Sequence, residues 1–204
     1  MKWEQDLIKD IRTHSSYDDE DGNQSGRVVR DHKSEYPHDE FSVGNRAALF
    51  EKFLSVKDQV TAILEIGVCR NGNDSSTYTF LNNKNDNTAY VGIDLNDKSF
   101  LNNQEKRIYT ICGNSSDVDQ NIETMKSHGI TELDFIFIDG WHSINQVLTD
   151  WEYTKILSPS GVVAFHDVNE HPGPYNFIKN LNTDMWHIET HCPTDWGIGF
   201  VWRK

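Results

Sequence analysis

Two short segments set acidic and imidazole side chains directly after apolar runs: Ile136-Phe137-Ile138-Asp139-Gly140-Trp141-His142 and Val163-Ala164-Phe165-His166-Asp167-Val168. If both runs are strands and lie side by side, their tips stand about 5 Å apart. Two carboxylates that close repel unless one is protonated or a cation lies between them. A divalent metal meets that requirement, with Asp139 and Asp167 as oxygen ligands and His166 as a third. His142, on the expected first turn of the following helix, faces the same pocket as a general base for a hydroxyl that the metal makes more acidic. The competing reading has Asp139 capping a helix and His166 as a hydrogen-bonded core histidine.

Earlier in the chain, Glu65-Ile66-Gly67-Val68-Cys69-Arg70-Asn71-Gly72-Asn73 reads as a strand-to-helix turn. A triphosphate loop needs Lys after its second glycine, and Asn73 stands there. A dinucleotide loop needs a second glycine where Cys69 stands. A ligand with a nucleoside and an amino acid but no phosphate needs one close backbone approach, at Gly67, and a carboxylate near its ammonium, at Glu65. The alternative is a plain glycine turn, with Cys69 as a small buried filler. Asp94, ending Val91-Gly92-Ile93-Asp94, is placed to accept both hydroxyls of a ribose, as the acid after a dinucleotide loop does. Asn114 and Ser115 of Cys112-Gly113-Asn114-Ser115-Ser116-Asp117 can bond an adenine edge, while Ser116 or Asp117 reads as a helix N-cap.

All of these residues must be carried by strands that end on one edge. Strand-like runs at Ala62–Ile66, Ala89–Ile93, Arg107–Ile111, Leu133–Ile138 and Gly161–Phe165 alternate with helical patterns around Ser75–Leu81, Val118–His128, Ile144–Leu157 and Tyr175–Leu181. That alternation predicts an α/β fold with a mostly parallel sheet. A capped helix is expected from Ser42, with Val43, Ala47, Phe50, Phe53 and Leu54 packed on the sheet. Met185–Glu189 and Gly197–Trp202 suit an antiparallel hairpin, which gives seven strands. In such open sheets ligands bind beyond the carboxyl ends of the strands, at the point where strand order reverses. Residues 1–41 differ in composition and are expected to form an arm or lid with a mobile acidic segment, leaving 42–204 as the domain. Tyr36, Pro37, His38 and Phe41 of the arm, and the loop Asn169–Tyr175 with His171, are the expected walls of an acceptor site.

The 204 residues carry 32 acidic and 19 basic side chains, a formal charge of −13. That balance excludes a strongly basic nucleic-acid binder and disfavours anionic membrane surfaces. The three cysteines, with no C-x-x-C pair, make a disulfide framework or zinc ribbon improbable. No apolar run exceeds strand length and the N-terminus has no apolar signal region, so a soluble cytosolic protein is expected.

On Leu64-Glu65-Ile66-Gly67, Gly92-Ile93-Asp94, Phe137-Ile138-Asp139-Gly140-Trp141-His142 and Leu157-Ser158-Pro159-Ser160-Gly161-Val162-Val163-Ala164-Phe165-His166-Asp167, the chain resembles class I S-adenosylmethionine-dependent methyltransferases. The likeness is to methyltransferase family 24, which includes metal-dependent sugar and macrolide O-methyltransferases. It implies a Rossmann-like seven-stranded methyltransferase sheet, with Glu65, Gly67, Asp94, Asn114, Ser115 and Asp139 around S-adenosyl-L-methionine. It also implies a divalent cation, usually Mg2+, at Asp139, His166 and Asp167, and catalysis by His142 with Asp139. The implied partner is a small-molecule or sugar hydroxyl, with neither nucleic acid nor membrane, and with homo-oligomerisation left open. Relatives often carry two adjacent acidic residues where this chain has His166-Asp167. A non-catalytic nucleoside-binding protein on the same fold and a metal-dependent hydrolase are the alternatives.

Overall fold

The computed structural model describes residues 43–69, 75–169 and 171–204; the expected arm lies outside these residues. The elements are α1 Val43–Val56, β1 Ala62–Ile66, α2 Ser76–Asn83, β2 Ala89–Asp94, β3 Ile108–Cys112, α3 Val118–Ser127, β4 Leu133–Ile138, α4 Ile144–Asp150, β5 Leu157–His166, α5 Pro172–Asn180, β6 Trp186–His191 and β7 Ile198–Arg203. They build a seven-stranded sheet in the order β3-β2-β1-β4-β5-β7-β6. β1 to β5 pair in parallel, and β7 runs antiparallel to both β5 and β6. The expected Rossmann-like sheet with its C-terminal antiparallel hairpin is therefore present. Strand order reverses between β1 and β4, so the switch point lies at the tips carrying Gly67 and Asp139.

The two-residue period of each buried strand divides the core into two layers. Leu64, Ile66, Ile136, Ile138, Val163 and Phe165 face α3, α4 and α5, where they meet Ile122, Met125, Val147 and Phe177. Ile63, Phe135, Phe137, Val162 and Ala164 face α1 and α2, where they meet Leu49, Phe53 and Phe80. On that side the rings of Phe53, Phe80 and Phe135 pack edge to face, with centroids 5.3 to 5.6 Å apart. Each buried ring of this kind stabilises the layer by roughly 1.5–3 kcal/mol.

Two details differ from expectation. On α1 the buried stripe is Asn45, Leu49 and Phe53. Val43, Ala47, Phe50 and Leu54 are exposed, so of the expected face only Phe53 is buried. Both stripes have helical spacing, and the polar Asn45 hides the true one. The expected long helix from Ile144 stops as an α-helix at Asp150 and tightens into a 3-10 turn over Trp151–Ile156. Arg203 explains the tightening, because its guanidinium donates to the carbonyls of Thr154, Leu157 and Ser158 and turns the chain into β5. No helix among the described residues is long and apolar enough to cross a membrane.

Candidate functional site

Backbone hydrogen bonding continues past the strand ends and aligns the loop residues on one edge. Gly67 N donates to Ile93 O, Asp139 N to Ile66 O, and Gly113 N to Asp94 O, at 2.9 to 3.0 Å. Gly67 has φ +87° and lies so near β4 that a Cβ there would stand 2.1 Å from Asp139 O. Only a residue without a Cβ permits that approach. Asp94 closes the neighbouring tip: one carboxylate oxygen accepts Val68 N at 2.9 Å and the other accepts Asn96 N at 2.8 Å. A carboxylate has about four lone-pair positions, so capacity for ribose hydroxyls remains.

Glu65 sits differently from the expectation that it meets a ligand's ammonium. Residue 65 shares the strand face of Ile63, and its carboxyl is fully buried. It accepts hydrogen bonds from the hydroxyls of Ser76, Thr77 and Tyr90. Burial pushes its pKa up to about 7 against those three donors. Thr77 Oγ1 also accepts Cys69 N at 2.8 Å, so the carboxyl braces the turn from beneath.

Asn114 and Ser115 are held in a braced loop. Asn114 Oδ1 accepts Ser116 N, and Asn114 O accepts Asn121 Nδ2. Ser115 Oγ accepts Gln146 Nε2 at 3.0 Å, and the same amide donates to Asp150 Oδ1 at 2.8 Å. Ser116 spends its hydroxyl on Gln146 Oε1, and Asp117 takes the N-cap position of α3 without a side-chain cap bond. Burial raises the Asp150 carboxyl to about 7, opposed by hydrogen bonds from Ser115 and Gln146. A carboxyl whose folded pKa exceeds its unfolded value of 3.8 binds more protons when folded, so it lowers stability as pH rises towards 7. Asp150→Asn is thus expected to gain melting temperature relative to the parent between about pH 4.5 and about pH 7. Calorimetric melting at both pH values checks this, and an unchanged difference would refute it.

The densest chemistry lies where β4 and β5 end, with Ile138 registered against Phe165. His166 Nδ1 is 3.1 Å from Asp139 Oδ1 and 3.2 Å from Asp167 Oδ1. His142 Nε2 is 2.8 Å from Asp167 Oδ2 and 4.0 Å from Asp139 Oδ1. Asp167 has φ +61°, a left-handed conformation that Asp tolerates better than most residues and that lets the chain turn at the strand end. The helix cap is Ser143, whose hydroxyl accepts Gln146 N, so Asp139 does not serve as the cap.

Electrostatics couple these four residues. Burial disfavours charge on each, yet Asp167 and Asp139 outweigh it and raise His142 to about 9 and His166 well above the ordinary imidazole range. Reciprocally, His166 and His142 hold Asp139 and Asp167 below the usual carboxylate range against the same burial. The donor atoms of Asp139, His166 and Asp167 lie within 4.8 Å of one another, and so do those of His142, Asp167 and His171. In number, proximity and ligand chemistry the first set fits a divalent cation.

Two members of the site carry no local sequence signal for their role. His171, expected only as a pocket wall, stacks on His142 with ring centroids 4.1 Å apart and planes 9° apart. Its backbone N–H donates to Asp167 O. Gly173 brings α5 so near that a Cβ would stand 2.1 Å from His142 O. Trp141 is 45% exposed beside the site. Tyr36, Pro37, His38, Phe41 and residues 70–74 of the first turn lie outside the described residues.

Residues 64–168, just over half of the chain, match methyltransferase family 24, described as a methyltransferase domain. None of the curated proteins matches the chain. Among solved structures, MycE methyltransferase of the mycinamycin biosynthetic pathway, in complex with Mg, SAH and mycinamycin VI, is similar at 17% identity and TM-score 0.55. That match covers 77% of this chain and 48% of MycE, so the chain spans about half of the MycE length. CalS11, a TDP-rhamnose 3'-O-methyltransferase of calicheamicin biosynthesis, is similar at 15% identity and TM-score 0.59, covering 98% of this chain and 93% of CalS11. Likeness at these identities is one of fold.

Proposed function

This chain belongs to methyltransferase family 24, and on that premise we propose that it transfers the methyl group of S-adenosylmethionine to a hydroxyl of a small molecule or sugar, with a divalent cation assisting. The observation that carries this reading is the meeting of Asp139, His142, His166 and Asp167 on the strand edge that also carries Gly67. S-adenosylmethionine brings a sulfonium methyl that is already activated, which leaves alignment and proton removal to the protein. Gly67 admits the cofactor to the backbone, Asp94 takes the ribose hydroxyls, and Asn114 and Ser115 line the adenine side; Glu65 supports the turn from below. Asp139, His166 and Asp167 would hold the cation, which supplies positive charge to lower the acceptor hydroxyl's pKa. Magnesium is the family's expectation for this ion.

His142 is the base. Its Nε2 lies 2.8 Å from Asp167 Oδ2, which orients the ring. Asp167 and Asp139 keep the imidazole protonated, and a cation held between these carboxylates would offset their charge and leave His142 neutral to take the hydroxyl proton. His171 stacks on one face of the ring and fixes its plane. Burial beside His142 lowers the pKa of His171 to about 4, so the stack carries at most one charge at neutral pH.

Calorimetric titration of S-adenosylmethionine and S-adenosylhomocysteine, with and without magnesium, tests the reading. One nucleoside per chain is expected to bind. Absence of binding in both conditions contradicts methyl transfer and leaves the hydrolase alternative.

A further inference from the structure

The donors at the tips of β4 and β5 are not those of an oxygen-only ion. Two atoms bound at right angles, each about 2.1–2.2 Å from one ion, stand about 3 Å apart. His166 Nδ1 already has that separation from a carboxylate oxygen on each side, at 3.1 Å from Asp139 and 3.2 Å from Asp167. Its side chain is 2% exposed, at the last residue of β5, where the backbone pairs with Ile198. The ring therefore has no room to swing aside, and an ion that takes both carboxylates meets an imidazole nitrogen as well.

Magnesium demands near-ideal oxygen octahedra and releases its waters reluctantly. Imidazole instead suits iron, nickel, copper and zinc.

We propose that this site selects a divalent first-row transition ion over magnesium, with His166 Nδ1 as the selecting ligand between Asp139 and Asp167. His142 and His171 stay outside the coordination sphere as the stacked base pair. The inference takes the location of the ion from the methyl-transfer reading, but its test does not depend on turnover.

The full chain, stripped of metal by a chelator, is titrated with Mn2+ and then with Co2+. Electron spin-echo spectroscopy of the Mn2+ form is expected to show modulation from one directly bound imidazole nitrogen, and the Co2+ form its ligand-field absorption. Magnesium at about hundredfold excess is expected to leave bound Co2+ in place. His166→Asp is expected to weaken Co2+ at least about tenfold and let magnesium compete. Absence of bound Co2+, absence of nitrogen modulation, or displacement by equimolar magnesium overturns the proposal, and these readouts need only the parent protein. S-adenosylhomocysteine is titrated into the same samples. Its binding beside a failed metal result sinks the ion selectivity alone, whereas a nitrogen-bound ion with no nucleoside binding sinks the methyltransferase reading alone.

Discussion

His142→Ala is expected to lower the rate of methyl transfer by about 10²–10⁴-fold, the range associated with loss of a positioned general base. The affinity for S-adenosylhomocysteine should stay within about threefold of the parent. The separation follows from geometry. His142 reaches Asp167 and Asp139 at the end of β5 and β4, whereas the turn at Gly67 and the carboxylate of Asp94 belong to β1 and β2. Removing the ring also leaves Asp167 without its 2.8 Å partner, so some loss of melting temperature accompanies the loss of rate. Single-turnover transfer and calorimetry on the same variant give both quantities. A parallel loss of rate and nucleoside affinity would assign His142 to cofactor binding instead.

Gly67→Ala is expected to fail at the level of the fold as well as the cofactor. The added methyl would stand 2.1 Å from the carbonyl oxygen of Asp139, with the backbone at φ +87°. Overpacking of this kind costs about 1–3 kcal/mol, and the left-handed backbone adds about 1–2 kcal/mol for a residue with a Cβ. For a chain of this length that amounts to a melting temperature lower by roughly 4–20 °C. Relief requires β1 and β4 to part at the switch point, which moves Asp139 away from His166. Nucleoside affinity is expected to fall more than a hundredfold, or about 2.8 kcal/mol. A variant with parental melting temperature and parental affinity would show that the close approach has no role.

The strand tips were legible because local pattern and function coincide there. Asp139 and His166-Asp167 end uninterrupted apolar runs, and the parallel pairing of β4 with β5 brings them together. Glu65 was legible as a residue but not in its setting: strand alternation turns it inward, and its hydroxyl partners come from α2 and β2. His171 and Gly173 belong to the site through the packing of α5 on the residues before α4. That contact is made across the sheet edge, so no periodicity near residue 171 announces it. On α1 two stripes with helical spacing compete, and burial selects the one containing Asn45, which hydrophobicity alone passes over.

The proposed chemistry is tested most directly by the fate of the methyl group. S-adenosylmethionine labelled with carbon-13 in the methyl is incubated with the protein, a divalent ion and a panel of nucleotide-linked sugars and polyols, and the product is read by NMR. The account predicts an oxygen-linked methyl resonance that needs the ion and largely disappears in His142→Ala. A methyl found on nitrogen or carbon, or oxygen methylation indifferent to both the ion and His142, would contradict it.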